Sequence, residues 1–190
     1  MPVSGQGWEL HVHRLGLHHG PERPRTYGSY RVYIDGTPQP GLDGYMVEST
    51  GPGDNTMPDN GKRIEAGRYG LTTHFRSYVS AGYSLDLDVK GAAPMPAVRL
   101  LETGKRTGIL IHPVYPPERT LFVASTGCLN PASALGPAAL VDFWDSRRRV
   151  IALIDSLAAF APEAFRPAAP TPIADAAVVI DGEPMDAIGG

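Results

Sequence analysis

Hydrophobic and polar positions alternate near the start of the chain, as they do in β-strands that bury one face. In residues 8–17, Leu10 and Val12 fall on one side of such a strand, and His11 and His13 fall on the other. The pattern predicts a first strand here.

Further alternating runs follow, each bounded by turn residues. TYGSYRVYIDG predicts a second strand closed by turn residues at Gly36 to Pro40, and Gly44 to Glu48 predicts a third. The stretch STGPGDNTMPDNGKR is rich in Gly, Pro, Asn and Asp and predicts an extended surface loop. Five more short runs follow, namely AGRYGLTTH, YSLDLDVKG, AVRLLE, TGILIHP and TLFVAS. The centre of the chain is therefore predicted to be all-β.

The pattern changes after residue 136, where apolar residues recur at helical spacing. AALVDFWDSRRRVIALIDSLAAF predicts one amphipathic helix from about Pro137 to Phe160, with Arg147, Arg148 and Arg149 on its solvated face. We expect a mainly β domain over residues 1–160 that this helix closes. Residues 161–190 are rich in Ala and Pro and predict a tail.

Composition narrows the classes of function. The chain has 190 residues, a net charge of -3 and no basic stripe, so we expect one compact domain that does not bind nucleic acid. No apolar run is long enough for a membrane helix, and the first 20 residues lack the features of a signal peptide. We therefore expect a protein that is made in the cytoplasm and has no membrane span.

The stretch ILIHPVYPPERTLFVASTGCLNP carries the most chemistry. The chain's single cysteine, Cys128, follows a predicted strand. His112 lies 16 residues before it, which is room for a strand end, a loop and a returning antiparallel strand. A histidine within hydrogen-bond reach can take the proton of a thiol and make it nucleophilic. Gly127 has no Cβ, so a substrate carbonyl can approach the backbone amides of this turn. The sequence therefore predicts a nucleophile and an oxyanion site in one turn.

These residues carry a family resemblance. IHP followed by STGCLN is similar to the signature of the L,D-transpeptidase (YkuD-like) cysteine enzymes, and the IEAGRYGL strand and the helix after CLNP extend the likeness over about residues 30–160. The resemblance implies a β-sandwich catalytic domain that acts on peptidoglycan stem peptides and needs no cofactor or metal. It implies that Cys128 is the acylated nucleophile and His112 its base. It also implies that Ser125 orders the turn, and that Thr126, Gly127 and Cys128 supply the oxyanion-hole amides.

The chain departs from the family pattern at two positions. Thr126 stands where the family has a second histidine, and Pro113 follows His112 where many members have glycine or a small polar residue. We expect acylation to survive this change better than controlled resolution of the acyl-enzyme, so transpeptidase, carboxypeptidase and endopeptidase activities all stay open. Because the implied substrate lies in the periplasm or cell wall, we expect that a partner or a secretion apparatus delivers the enzyme there.

Other residues are candidates for contacts around the site. Tyr115, Arg119, Arg76 and Tyr78 are expected to contact a carboxylated peptide. His74 and Glu102 are candidates for orienting His112.

Two alternatives stay open at this point. The chain could be a non-catalytic binding or structural module that retains the fold. The four histidines His11, His13, His18 and His19 could meet at a metal, although no Cys or carboxylate spacing supports a metal site, and surface histidines are the simpler interpretation.

Overall fold

The computed structural model describes residues 3–19, 24–83, 94–114, 127–135 and 141–184. The protein is mainly β, with 43% of residues in strands and 15% helical, which confirms the predicted class. The predicted runs YSLDLDVKG and TLFVAS lie almost wholly outside the described residues.

The strands and helices have the following bounds. The strands are β1 Trp8–His19, β2 Pro24–Ile34, β3 Thr37–Glu48, β4 Gly67–Thr72, β5 Tyr78–Val79, β6 Met95–Pro96, β7 Val98–Leu100, β8 Leu110–Ile111, β9 Asn130–Ala132 and β10 Pro172–Asp181. The α-helix α1 is Phe143–Phe160, and a short 3-10 helix follows at Pro162–Phe165.

Eight of the strands form one strongly curved sheet in the order β8-β7-β4-β10-β1-β2-β3-β9, and β5 pairs with β6 in a small second sheet. The two ends of the large sheet meet, because Ile111 of β8 forms a parallel bridge with Leu129 just before β9. At this seam the amide of His112 donates to the carbonyl of Leu129 (3.1 Å), and the amide of Leu129 donates to the carbonyl of Leu110 (2.9 Å). The sheet is therefore a nearly closed barrel, and the expected β-sandwich is not confirmed.

The inward side chains of the barrel form the main core, which α1 completes. Val150, Leu153, Ile154 and Leu157 of α1 pack into this core, and the indole of Trp8 donates to the hydroxyl of Ser156 (2.9 Å). Burial of this apolar surface is the main term that holds the barrel and the helix together. Among the described residues, no helix has the length and apolar character to cross a membrane.

The helix begins later than the sequence pattern predicts. Residues 136–140 lie outside the described part of the chain, and Asp142 is extended, with φ -69° and ψ 122°. Its carboxylate accepts from the amide of Asp145 (2.6 Å), so Asp142 is the N-cap that fixes the helix start at Phe143. The predicted end at Phe160 is confirmed.

The basic run of α1 is not uniformly solvated as predicted. Arg149 pairs with Asp145 (2.8 Å) and Arg148 is exposed, but Arg147 is buried. The helix packs against several neighbours around its circumference, so its first turns have a narrower solvated face than the charge pattern indicates.

The region expected to be a tail contributes a central strand. β10 lies between β1 and β4, parallel to β1 and antiparallel to β4, and Val178 and Ile180 point into the core. Its sequence, PIADAAVVID, has one short apolar patch and alanines that look like linker composition in isolation. Only the pairing on both sides gives this segment its strand conformation.

The hairpin between β2 and β3 is also tighter than predicted. The chain reverses at Asp35 and Gly36, whose φ angles are 47° and 74°, and β3 begins at Thr37. Two consecutive residues with positive φ are what a two-residue hairpin turn requires. Pro38 and Pro40, expected in the turn, instead lie within β3.

A buried ionic network anchors the predicted loop 49–63, which has no strand or helix in the structure. The guanidinium of Arg14 donates to both carboxylate oxygens of Glu48 (2.9 and 2.8 Å), to Glu183 (2.5 Å) and to the carbonyl of Ile64 (2.7 Å). Arg63 donates to Glu183 (2.8 Å) and to the hydroxyl of Thr26 (2.7 Å). We call these residues the ionic network.

Candidate functional site

The site lies on the outer surface of the barrel, at the seam where β8 meets the segment before β9. Ile111 and Leu129 form the parallel bridge and point into the core. Side chains alternate along both segments, so Leu110 and His112 point outward on one side of the seam, and Cys128 and Asn130 point outward on the other. The register places Cys128 level with Leu110, and Asn130 level with His112.

This register makes Cys128 and His112 diagonal neighbours on one face of the sheet. Diagonal neighbours on a sheet have Cβ atoms roughly 7–8 Å apart, so the two side chains share a face without standing directly opposite each other. The sequence predicts that an antiparallel return brings both side chains to one rim. That pairing is wrong, because the two segments pair in parallel, but the parallel register also puts both residues on one face of the seam.

A small layer covers the pair from outside. The ring of Tyr78 in β5 lies 5.1 Å from the imidazole of His112, centre to centre, and packs against the cluster of Ala97, Leu110 and Cys128. Cys128 is 8% exposed and His112 is 4% exposed. The pair is therefore shielded from bulk water.

The imidazole of His112 has an orientation fixed by its own main chain. Its Nδ1 lies 2.6 Å from the carbonyl oxygen of Pro113. A carbonyl can only accept a hydrogen bond, so this contact assigns the proton to Nδ1 and leaves Nε2 as the basic nitrogen. Pro113, which departs from the resembling family, thus helps to set the tautomer that a general base requires.

Burial lowers the pKa of His112 to about 4, although the hydrogen bond to Pro113 acts in the opposite direction. Removing the imidazolium from water is unfavourable, and this effect outweighs the hydrogen bond to Pro113. His112 is therefore neutral near pH 7, which is the form that can accept a proton from a thiol.

The thiol of Cys128 is held by main-chain groups. Its sulfur accepts a hydrogen bond from the amide of Leu110 (3.4 Å) and lies 3.8 Å from the carbonyl oxygen of Gly108, to which it donates. Both groups belong to the segment that runs through β8 to His112. The sulfur is thus tied to the partner side of the seam.

Gly127 has a structural reason to be glycine that differs from the predicted one, because protein atoms occupy the space beside its Cα. Its φ is +111°, a value that side chains disfavour, and a Cβ there would lie 2.5 Å from Nη2 of Arg106 and 3.0 Å from the carbonyl oxygen of Lys62. Arg106 in turn donates to the carbonyls of Asp54 and Lys62 (2.9 and 3.0 Å), so it holds loop 49–63 against this turn. Both the positive φ and these contacts favour glycine at position 127.

Asn130 joins the site, although the sequence interpretation did not assign it a role. Its side-chain amide donates to the carbonyl of His112 (2.8 Å) and lies 3.5 Å from the Nδ1 of that residue. It is buried and fixes the end of β8 to β9. The signal was present in the stretch CLNP, because a residue two positions after Cys128 in a strand shares its face.

The remaining predicted residues divide into two groups. Ser125, Thr126, Tyr115 and Arg119 lie outside the described residues. Tyr78 contacts His112, and Arg76 is exposed in the turn before it, where its amide donates to the carbonyl of Tyr78 (2.9 Å).

The two candidates for orienting His112 lie in other settings. Glu102 is exposed in a turn, with φ +59°. His74 has its amide bonded to the hydroxyl of Ser80 (2.9 Å), and its pKa is lowered, first by burial and then by the charges of Arg99 and Arg76. The orienting hydrogen bond resolved at Nδ1 of His112 goes to the carbonyl of Pro113 instead, while Asn130 holds the main chain of His112.

The histidines near the start of the chain are separated from this site. His11 and His13 lie on the outer face of β1, and Nε2 of His11 lies 3.7 Å from a carboxylate oxygen of Asp181. Within the described ranges, no group of three or more His, Cys, Asp or Glu residues is arranged to hold a metal ion.

Comparison with known proteins adds no relative. No protein-family model matches the chain, and neither does any curated protein or solved structure.

Proposed function

We propose that the protein is a cysteine-dependent enzyme that acts on peptidoglycan stem peptides through an acyl-enzyme, as an L,D-transpeptidase or a related L,D-carboxypeptidase or endopeptidase. One observation carries the proposal. Cys128, His112 and Asn130 share the outer face of the seam, and the Nδ1 of His112 is turned toward the carbonyl oxygen of Pro113. The resemblance of IHP and STGCLN to the L,D-transpeptidase signature supplies the substrate class.

The proposed reaction begins from a neutral pair. The proton of the Cys128 thiol passes to Nε2 of His112 as the sulfur attacks the carbonyl carbon of a peptide bond. The oxygen of the tetrahedral intermediate accepts hydrogen bonds from backbone amides of the turn at Gly127. Because burial disfavours the imidazolium, proton transfer is coupled to attack and does not precede it as a stable ion pair.

The second half of the reaction releases the thiol. The carbon–nitrogen bond breaks, and the imidazolium returns its proton to the leaving amine, so that a thioester remains on Cys128. An amine of another stem peptide then gives a crosslink, or water gives a shortened stem, and in either case the proton of the attacking group passes through His112 back to the sulfur.

The burial of the pair supports a second candidate, a non-catalytic module that retains the fold. A thiol that is 8% exposed and bonded to Leu110 and Gly108 also fits a packed core cysteine. The two candidates differ in whether a substrate reaches the sulfur.

Mass spectrometry separates the candidates. We expect a mass increase from a carbapenem in the wild-type protein and its loss in Cys128→Ser; since Cys128 is the chain's single cysteine, a thiol adduct reports on this site alone. Muropeptides should give crosslinked dimers or shortened stems, strongly reduced in His112→Gln and unchanged in His13→Gln. A folded wild-type protein with no adduct and no Cys128-dependent product would leave the binding module as the better proposal.

A further inference from the structure

Two arginines and a histidine lie near the seam, and one of them, Arg99, is on the same outer face as Cys128. Arg99 in β7 is paired with Leu110 on one side and with Thr72 on the other, and Leu110 is level with Cys128. Thr72, Arg99, Leu110 and Cys128 therefore form one row across the sheet. Two strand spacings, roughly 10 Å, separate the backbone of Arg99 from that of Cys128, and a long arginine side chain shortens that gap.

His74 and Arg76 adjoin this row. They follow β4 in the turn that leads to Tyr78, and the ring of Tyr78 covers His112. Thr72 pairs with Arg99, and the Ser80 hydroxyl, which accepts from the amide of His74, donates to the carbonyl of Ala97, so His74 lies beside the strand that carries Arg99. We call His74, Arg76 and Arg99 the cationic cluster.

The cluster lacks counter-charges within the described residues. The arginines that form ion pairs among the described residues are other ones, namely Arg14, Arg63, Arg68, Arg148 and Arg149. The Nε of Arg99 and the Nδ1 of His74 are buried without a hydrogen-bond partner. Buried polar groups are normally paired, so these two nitrogens are donors that the described residues leave without an acceptor.

We propose that the cationic cluster is a subsite for a carboxylate of the peptide substrate. This inference rests on the proposed function for its link to acylation. A carboxylate can accept from the guanidinium of Arg99, from Arg76 and from the imidazole of His74 at once, and charged hydrogen bonds of this kind are strong. Since a chain advances at most about 3.5 Å per residue, the recognised carboxylate belongs to a residue within one or two positions of the attacked carbonyl.

Binding of a small peptide tests the subsite without any reaction. N-acetyl-alanyl-alanine and its C-terminal amide differ in one charge, and the NMR signals of the His74 ring report on either. In Cys128→Ser, we expect the acid to bind at least about 10-fold more tightly than the amide, and Arg99→Gln should remove that preference while Arg99→Lys retains part of it. Arg148→Gln, which removes an exposed arginine of α1, is the matched control and should change nothing.

Alkylation of the thiol connects the subsite to the reaction. Iodoacetate carries a carboxylate and iodoacetamide does not, so the ratio of their rates at Cys128 should fall about 10-fold in Arg99→Gln and stay constant in Arg148→Gln. A reactive thiol combined with equal binding of acid and amide overturns the subsite and leaves the proposed function intact. An unreactive thiol combined with Arg99-dependent binding of the acid supports the subsite and counts against the proposed catalysis.

Discussion

Two regions of this small barrel hold arginines that are wholly or partly buried, and the two regions differ in how these arginines are paired. In the ionic network, Arg14 has a bidentate carboxylate partner, a second carboxylate and a main-chain carbonyl. In the cationic cluster, Arg99 has a buried Nε with no partner. A buried charged group that stabilises a fold needs hydrogen-bond partners for all its polar atoms. A buried nitrogen without a partner is instead able to bind a ligand that supplies the acceptor.

The pKa values follow the same division. The pKa of Arg14 is raised, because its pairing with Glu48 and Glu183 outweighs the opposing effect of burial. The pKa of Glu183 is lowered, because Arg63, the amide of Gly53 and Arg14 together outweigh the desolvation that would raise it. The ionic network therefore stabilises the charged forms of its residues in the folded state. The seam disfavours the charged form of His112, because burial lowers its pKa.

The largest expected effect comes from substituting one charged residue in each region and comparing the loss of stability. Glu48→Ala leaves Arg14 buried without its bidentate partner and should lower the free energy of unfolding by about 3–5 kcal/mol. Arg99→Gln removes a charge that has no partner and should change the same quantity by less than about 0.5 kcal/mol. Urea denaturation followed by tryptophan fluorescence measures both. Equal losses in the two variants would show that the two regions do the same work.

As the pH falls, the protein should lose stability at His112 before it loses stability at the ionic network. His112 has an ordinary pKa of 6.5 when unfolded and about 4 when folded, so between these values the unfolded chain binds a proton that the folded chain does not. Stability therefore falls as pH decreases from 6.5 to 4, by about 3 kcal/mol from this group, and is constant with respect to it below that window.

The variant His112→Gln isolates this contribution. The difference in unfolding free energy between wild type and variant should shrink by about that amount from pH 7 to pH 4, while His19→Gln, at an exposed position, should follow the wild type. The lowered pKa of Glu183 acts in a different range, because stability from that group is lost only as pH falls below its ordinary 4.5. A difference that stays constant across the window would contradict the burial of a neutral His112.

A smaller effect concerns the backbone of the seam. Gly127→Ala places a Cβ against Arg106 and the carbonyl of Lys62 at a positive φ, and should destabilise the protein by about 1–3 kcal/mol. Gly108→Ala also has a positive φ, but no atom lies within 4 Å of its added Cβ, so it reports the cost of φ alone. Thermal unfolding measures both, and identical shifts would show that contact with Arg106 contributes nothing.

The local patterns were sufficient for much of the fold. Alternation located β1 and β2, and helical spacing located the end of α1, because a single buried face imposes a period that sequence displays directly. The sequence also singled out Cys128 and His112, which the fold places on one face of the seam.

Tertiary structure decided what local pattern could not. β10 is a strand only because β1 and β4 supply hydrogen bonds on both sides, which residues 172–181 do not reveal by themselves. Arg147 is buried through packing of α1, and Asn130 enters the site through the register of the seam. Arg99 becomes a candidate ligand group because strand pairing aligns it with Cys128, 29 residues away in sequence. Closure of the sheet joins segments that are distant in the sequence, so only the tertiary structure brings Arg99, His112 and Cys128 near one another. The sequence by itself determined which side chains are chemically able to take part in the proposed reaction.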